Sequence, residues 1–212
     1  MLADFQTQEP GTLLSYSAPP AIAYPGPDSG KSVDEHRQDL VKAGKIPQGA
    51  AKAHAKTFAL MGRTFEGRIL EDSMMHQKLF GMGKHIPTTQ DDRPFTDRVT
   101  AEWLRAKDRT LRTQADNLAA LAFNIDGGVS FMPLVHSHLS LPDAGACSSL
   151  DFAIRIFSNK VDLNQWHLKE MKTHVGSNGR TYSEARVWDQ DRNLIANMTQ
   201  MNILRPKPAT KM

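Results

Sequence analysis

From Cys147 to Arg205 apolar and polar residues alternate with period two through C-S-S-L-D-F-A-I-R-I-F, W-H-L-K-E-M-K-T-H-V and R-T-Y-S-E-A-R-V-W-D-Q-D-R-N-L-I-A-N-M-T-Q-M-N-I-L-R-P. Side chains on a strand point alternately to opposite faces, so this pattern commits the last quarter of the chain to antiparallel sheet with one face to bury. In 147–157 the alternation puts Leu150, Phe152, Ile154 and Ile156 on one face and Ser149, Asp151 and Arg155 on the other. In 194–204 it puts Gln200 on the same face as Leu194, Ala196, Met198 and Leu204. An amide on an apolar face costs stability unless hydrogen-bond partners reach it, so Gln200 requires an explanation. The D-Q-D-R-N segment at 189–193 supplies the Asp and Asn of a hairpin turn.

Upstream, R-T-Q-A-D-N-L-A-A-L-A-F-N-I-D (112–126) carries Leu118, Leu121, Ala122 and Ile125 at helical spacing, and Gly127-Gly128 should end that helix. Residues 98–106 alternate as a strand. From 98 onward the order is therefore strand, long helix, antiparallel strands: an α+β arrangement in which the sheet buries its apolar face by wrapping the helix. Residues 31–60 read as two helices broken at Ile46-Pro47, while 64–90 carry no clear periodicity. Pro19, Pro20, Pro25 and Pro27 make 17–30 an extended linker. Residues 1–6 read as a strand end, stopped by Glu9, Pro10 and Gly11.

The 26 basic residues are nearly balanced by 23 acidic ones, and no Arg/Lys cluster interleaves with aromatics, so nucleic-acid binding is not expected. Cys147 is the only cysteine, which rules out an intramolecular disulfide and fits a reducing compartment. No apolar run reaches the length of a membrane span, and the N-terminus lacks a basic and apolar leader, so a soluble intracellular protein is expected.

Several motifs fail on their own chemistry. G-P-D-S-G-K-S (26–32) has its glycines too close for a phosphate-binding loop. Gly128-Val129-Ser130 lacks the second glycine of a nucleophile elbow. His136 and His138 have no third metal ligand at a convincing spacing, and Cys147 has no histidine partner nearby in sequence. Neither a metal nor a cofactor is expected. Asp126 at the helix end, Ser149 on the next strand and Gln200 on the last remain. A carboxylate, a hydroxyl and an amide can together hold and activate a water, with the carboxylate taking its proton. Spacing alone favours a plainer reading: a helix-terminal turn residue, a strand-entry hydroxyl and an edge amide.

The order of these segments resembles the acyl-CoA thioesterase II family of double-hotdog enzymes. S-L-D-F-A-I-R-I-F (149–157) is similar to that family's hydroxyl-apolar-Asp-His strand, and V-W-D-Q-D-R-N-L-I-A-N-M-T-Q-M-N-I-L-R (187–205) to its closing hairpin with a Gln. R-V-T-A-E-W-L-R-A and A-L-A-F-N-I-D…F-M-P resemble its strand, helix Asp and Phe-x-Pro. The resemblance covers roughly 98 to 206 and implies a hotdog domain there. It also implies a catalytic set of Asp126, Ser149 and Gln200 orienting a water onto an acyl-CoA thioester, with coenzyme A as part of the substrate. Phe152 stands where the family's His follows the Asp, and two residues within Gly127-Gly128-Val129 are inserted after Asp126.

A-D-F-Q-T-Q-E-P-G followed by S-A-P-P resembles the end of the family's first hotdog, so the resemblance implies a remnant of that domain at 1–16. A linker with a helical insert at 17–97, a C-terminal hotdog at 98–206 and a tail at 207–212 complete the expected organisation. A hotdog without its partner domain leaves a sheet edge open, which implies a homo-oligomer formed through that edge. Two alternatives stand beside the acyl-CoA hydrolase: a non-catalytic acyl-binding hotdog, and a thioesterase acting in a secondary-metabolite pathway. Thr210-Lys211-Met212 is similar to an S-K-L-type address, which with the family resemblance implies a peroxisomal location, the alternative being cytoplasmic.

Overall fold

The long helix forms where its sequence predicts. The computed structural model describes all residues except 1, 2, 4, 6, 8, 108–110 and 209–212. Helix α5 (Gln114–Asp126) opens on a capping box in which the Thr113 side chain accepts from the Asp116 amide and the Asp116 carboxylate accepts from the Thr113 amide. It buries Ala120, Leu121 and Ile125, and stops at Gly127-Gly128, where Gly128 takes φ +102. That left-handed conformation favours glycine.

Around α5 lies one antiparallel sheet of seven strands: β1 (Lys31–Ser32), β2 (Phe65–Ile69), β3 (Thr100–Ala106), β4 (Ala144–Ile156), β5 (His167–Ser177), β6 (Arg180–Trp188) and β7 (Leu194–Pro206). The spatial order is β1-β2-β3-β5-β6-β7-β4. The run β3-β5-β6-β7-β4 curled around α5 is the hotdog arrangement. Asp189 closes the β6–β7 hairpin by accepting from the Asn193 amide at 2.8 Å.

The inner face holds the main core, in which Leu121 and Ile125 of α5 meet Met171, Ala185, Val187, Ala196 and Met198. The outer face is covered by the extended residues 17–25. Trp188 Nε1 donates to the Ala18 carbonyl and Trp103 Nε1 to the Pro25 carbonyl, both at 2.8 Å, while Tyr24 Oη donates to buried Glu170 at 2.7 Å. Trp103, Trp166, Trp188 and Leu168 pack beneath this strap.

Two expectations about organisation need correction. The segment expected as a linker with a helical insert does contain α1 (Val33–Lys42) and α2 (Gln48–Thr57), separated at Ile46-Pro47, then α3 (Ala59–Thr64) and α4 (Met74–Gln77). It also contributes β1 and β2, and β2 pairs with β3 from Phe65↔Ala106 to Ile69↔Glu102, extending the hotdog sheet. F-E-G-R-I is too short and too mixed to announce a strand; its pairing with β3 makes it one. Secondly, Gln114–His136 does satisfy the length and hydropathy of a membrane-crossing helix. Gly127 and Gly128 break it into α5 and α6 (Met132–His136), and half of its most apolar window is buried inside the fold. The strand expected at 1–6 and the Thr210-Lys211-Met212 tripeptide lie mostly or wholly outside the described residues.

Candidate active site

A bulge in β4 decides which residues face α5. Ser149 pairs with Asn202 and Asp151 with Met201, so Leu150 is an extra residue without a cross-strand partner. One inserted residue reverses the alternation. Ser149 therefore lies on the same inner face as Phe152, Ile154 and Ile156, not on the opposite face as strict alternation predicts. Leu150 is bulged and half exposed. A second irregularity at Gly145 lets the strands approach so closely that a Cβ there would lie 2.5 Å from the Pro206 carbonyl oxygen.

The bulge brings the three expected site residues together. Gln200, fully buried on β7, donates from Nε2 to Asp126 Oδ1 at 2.7 Å and to Ser149 Oγ at 2.9 Å. Both amide hydrogens are thereby engaged. The Ser149 oxygen is occupied as an acceptor, which leaves its own hydrogen to donate elsewhere. Asp126 and Ser149 are exposed, so the cluster opens to solvent with Gln200 as its floor.

Residues not singled out from the sequence hold Asp126 in place. Lys169, 1% exposed on β5, donates from Nζ to the carbonyls of Asn124 at 3.0 Å and Gly127 at 3.1 Å, on either side of Asp126. An ammonium at the helix C-terminus satisfies orphan carbonyls and opposes the negative end of the dipole. The inserted glycines are thus pinned by a buried cation. Lys169 also faces its cross-strand partner Glu102 at 3.1 Å. Burial alone would raise the Glu102 pKa, but the Lys169 ammonium and His76 together outweigh it and hold the carboxyl below its ordinary range. The alternation of β5 contains the clue: Lys169 shares the inner face with Met171 and Thr173.

Beyond Glu102 the network continues to His76, with Nε2 at 3.4 Å, and from His76 Nδ1 to Ser73 Oγ at 2.8 Å. Hydroxyl, imidazole and carboxylate follow the order of a hydrolase relay, but Ser73 and His76 are 1% exposed and Glu102 7%. Ser73 Oγ also accepts from the Ala101 amide at 3.2 Å. This relay is sealed from any substrate and ties α4 to β3.

The discarded motifs stay apart from the site. Lys31 of the G-P-D-S-G-K-S stretch pairs with Asp39, and Ser32 caps α1. His136 is buried with Nε2 3.1 Å from Thr100 Oγ1, whereas His138 bridges Lys78 and Asp91. Cys147 lies on the inner face near Ser149 and donates weakly to the Ser130 carbonyl; burial pushes its thiol pKa up. Among the described residues no group of three or more His, Cys, Asp or Glu could hold a metal ion.

A sequence profile of the acyl-CoA thioesterase C-terminal domain matches residues 51–204. The chain belongs to that family. The match begins within α2, so it takes in β2 as well as the hotdog strands. A comparison with curated proteins gives no match. Among solved structures, the acyl-CoA thioesterase II TesB2 of Mycobacterium marinum is 16% identical with a TM-score of 0.58, over 96% of this chain and 61% of that one. The tesB protein of Mycobacterium avium subspecies paratuberculosis is 11% identical, also with a TM-score of 0.58, over 92% of this chain and 57% of that one. At such identities the likeness is one of fold, and the chain spans about three fifths of the length of these relatives.

Proposed function

We propose that this protein hydrolyses acyl-CoA thioesters to free acid and coenzyme A. The observation that carries the proposal is Gln200, which joins a carboxylate and a hydroxyl at an open face of the fold. Asp126 Oδ2, free of Gln200, takes a proton from a water as its oxygen attacks the thioester carbonyl carbon. Ser149 donates its hydrogen to the carbonyl oxygen as negative charge develops there. Collapse of the tetrahedral intermediate breaks the C–S bond, and the proton held by Asp126 passes to the departing thiolate. Ser149 is not the nucleophile in this scheme, because an amide donor has no basicity with which to take its proton. Family membership supports the thioester substrate.

The open edge at β4 supports self-association. Phe152, at 61% exposure, and Ile156, at 45%, project from its inner face, and Phe157 follows at 55%. Unpaired backbone and exposed apolar side chains on one edge strand are a template for strand pairing. A second copy of this chain laid along β4 would cover these residues and enclose Asp126 and Ser149. Light scattering on the purified protein should give twice the monomer mass, and a monomeric Phe152→Glu variant should follow; a wild-type monomer would contradict the pairing.

Thiol release from short, medium and long acyl-CoAs tests the hydrolase reading. Turnover on any of them supports it, whereas binding without release across the series would establish a non-catalytic acyl-binding protein.

A further inference from the structure

Next to the Asp126–Ser149–Gln200 cluster, the inner face of the sheet carries a tile of polar side chains where a core is ordinarily apolar. Thr181 and Ser183 of β6 pair across to Asn202 and Gln200 of β7, and Ser149 of β4 closes the tile opposite Asn202. Ser183, Gln200 and Asn202 have no exposed surface, and Thr181 is 6% exposed. Nevertheless Thr181 Oγ1, Ser183 Oγ, Gln200 Oε1 and both polar side-chain atoms of Asn202 reach no partner among the described residues. Buried polar groups are costly unless something hydrogen-bonds them. Farther along the same strands the inner face returns to Ala185, Val187, Ala196 and Met198. The polarity is confined to the stretch beside the candidate reacting group.

Thr181 also lines a cavity of about 460 Å³, whose walls include Phe95, Leu134, Leu139 and Leu204. At Thr181 the tile thus adjoins a cavity lined by apolar side chains together with Ser137, Thr173 and Arg180. Resting on the hydrolase reading above, we propose that the protein selects acyl-CoAs whose acyl chain carries a hydroxyl group close to the thioester.

The hydrogen-bonding inventory sets that chemistry. Gln200 Nε2 is engaged by Asp126 and Ser149, so Gln200 offers the tile only its acceptor, Oε1. An acceptor requires a donor, which a chain hydroxyl supplies and a methylene or a ketone does not. A hydroxyl has one hydrogen and two lone pairs, so beyond Gln200 Oε1 it takes at most two further partners from Ser183, Asn202 and Thr181. Strands rise about 3.4 Å per residue, so Asn202 lies about 7 Å along β7 from Gln200, within reach of the first carbons of an acyl chain. The remainder of the chain would run along Phe95, Leu134, Leu139 and Leu204 of the cavity at Thr181.

Calorimetric titration of the full chain carrying Asp126→Asn, with 3-hydroxyoctanoyl-CoA and with octanoyl-CoA, tests the inference without turnover. The hydroxylated ligand should bind at least about tenfold tighter, because a site built to hydrogen-bond a hydroxyl leaves polar groups unpaired when it is missing. Asn202→Leu, which keeps the number of side-chain heavy atoms, and Ser183→Ala should each collapse that ratio toward unity; Ser183→Ala stands as the test if the leucine does not fold. Equal binding of the two ligands, binding of neither, or a preference untouched by Ser183→Ala overturns the inference. A tenfold preference in a protein that releases no thiol would sustain it as a binding specificity while overturning the hydrolase reading alone.

Discussion

Gln200 and Lys169 act on Asp126 from two sides, one through its carboxylate and the other through the backbone that carries it. Gln200 was legible in the sequence because an amide interrupts an apolar strand face. Lys169 was legible only as a strand position: alternation puts it on the face of Met171, but its partners on α5 appear only when that helix is packed over it. Replacing it separates stability from positioning. Lys169→Met leaves Glu102 buried without its cation, which should cost about 3–5 kcal/mol in denaturant unfolding. Adding Glu102→Gln removes the stranded charge and should restore part of that stability. The carbonyls of Asn124 and Gly127 still lack their donor in the double variant, so kcat should remain depressed at near-normal KM. A double variant with wild-type kcat would show that Lys169 only stabilises the fold.

At the scale of elements, α5, the β6–β7 hairpin and the strand character of β4 to β7 follow from local patterns: a capping pair, a glycine stop, turn residues and period two. The facing of β4 does not. Alternation assigns Ser149 to the side away from Ile154, and only the pairing with β7 reveals that Leu150 is surplus. A bulge belongs to a strand pair and leaves no mark in one strand's periodicity. Deleting residues by position tests it. Removing Leu150 leaves Ser149 opposite Asn202 and Asp151 opposite Met201, so folding and thiol release should persist. Removing Ala153 displaces Ser149 and Phe152 together by one residue relative to Ile154 and Ile156, turning one pair or the other outward, and should abolish release. Equal effects of the two deletions would contradict the assigned register.

For the molecule as a whole, the helix covers one face of the sheet and the 17–25 strap covers the other. Prolines made the strap recognisable as extended, but its contact with Trp103 and Trp188 depends on residues more than 70 positions away, which no local pattern encodes. The short helices pack buried histidines beside this frame. Burial, followed by the charge of Arg37, pushes His54 down to about 4, and burial followed by Arg98 pushes His136 down to about 3. Both are depressed, so the unfolded chain takes up protons below pH 6.5 that the folded protein refuses. Their stabilisation is complete above that value and is lost as pH falls toward the folded values, at about 1.4 kcal/mol per pH unit for each histidine. Urea midpoints should therefore drop between pH 7 and pH 5, and midpoints that rise or stay level would contradict the burial of these rings. The measurement that bears most directly on the central claim is thiol release from an acyl-CoA cleaved by the wild type, repeated with Asp126→Asn at matched folding by circular dichroism. The account predicts a loss of kcat of about 10²–10⁴-fold, the range supplied by a positioned general base. An Asp126→Asn protein that turns over at the wild-type rate would contradict it.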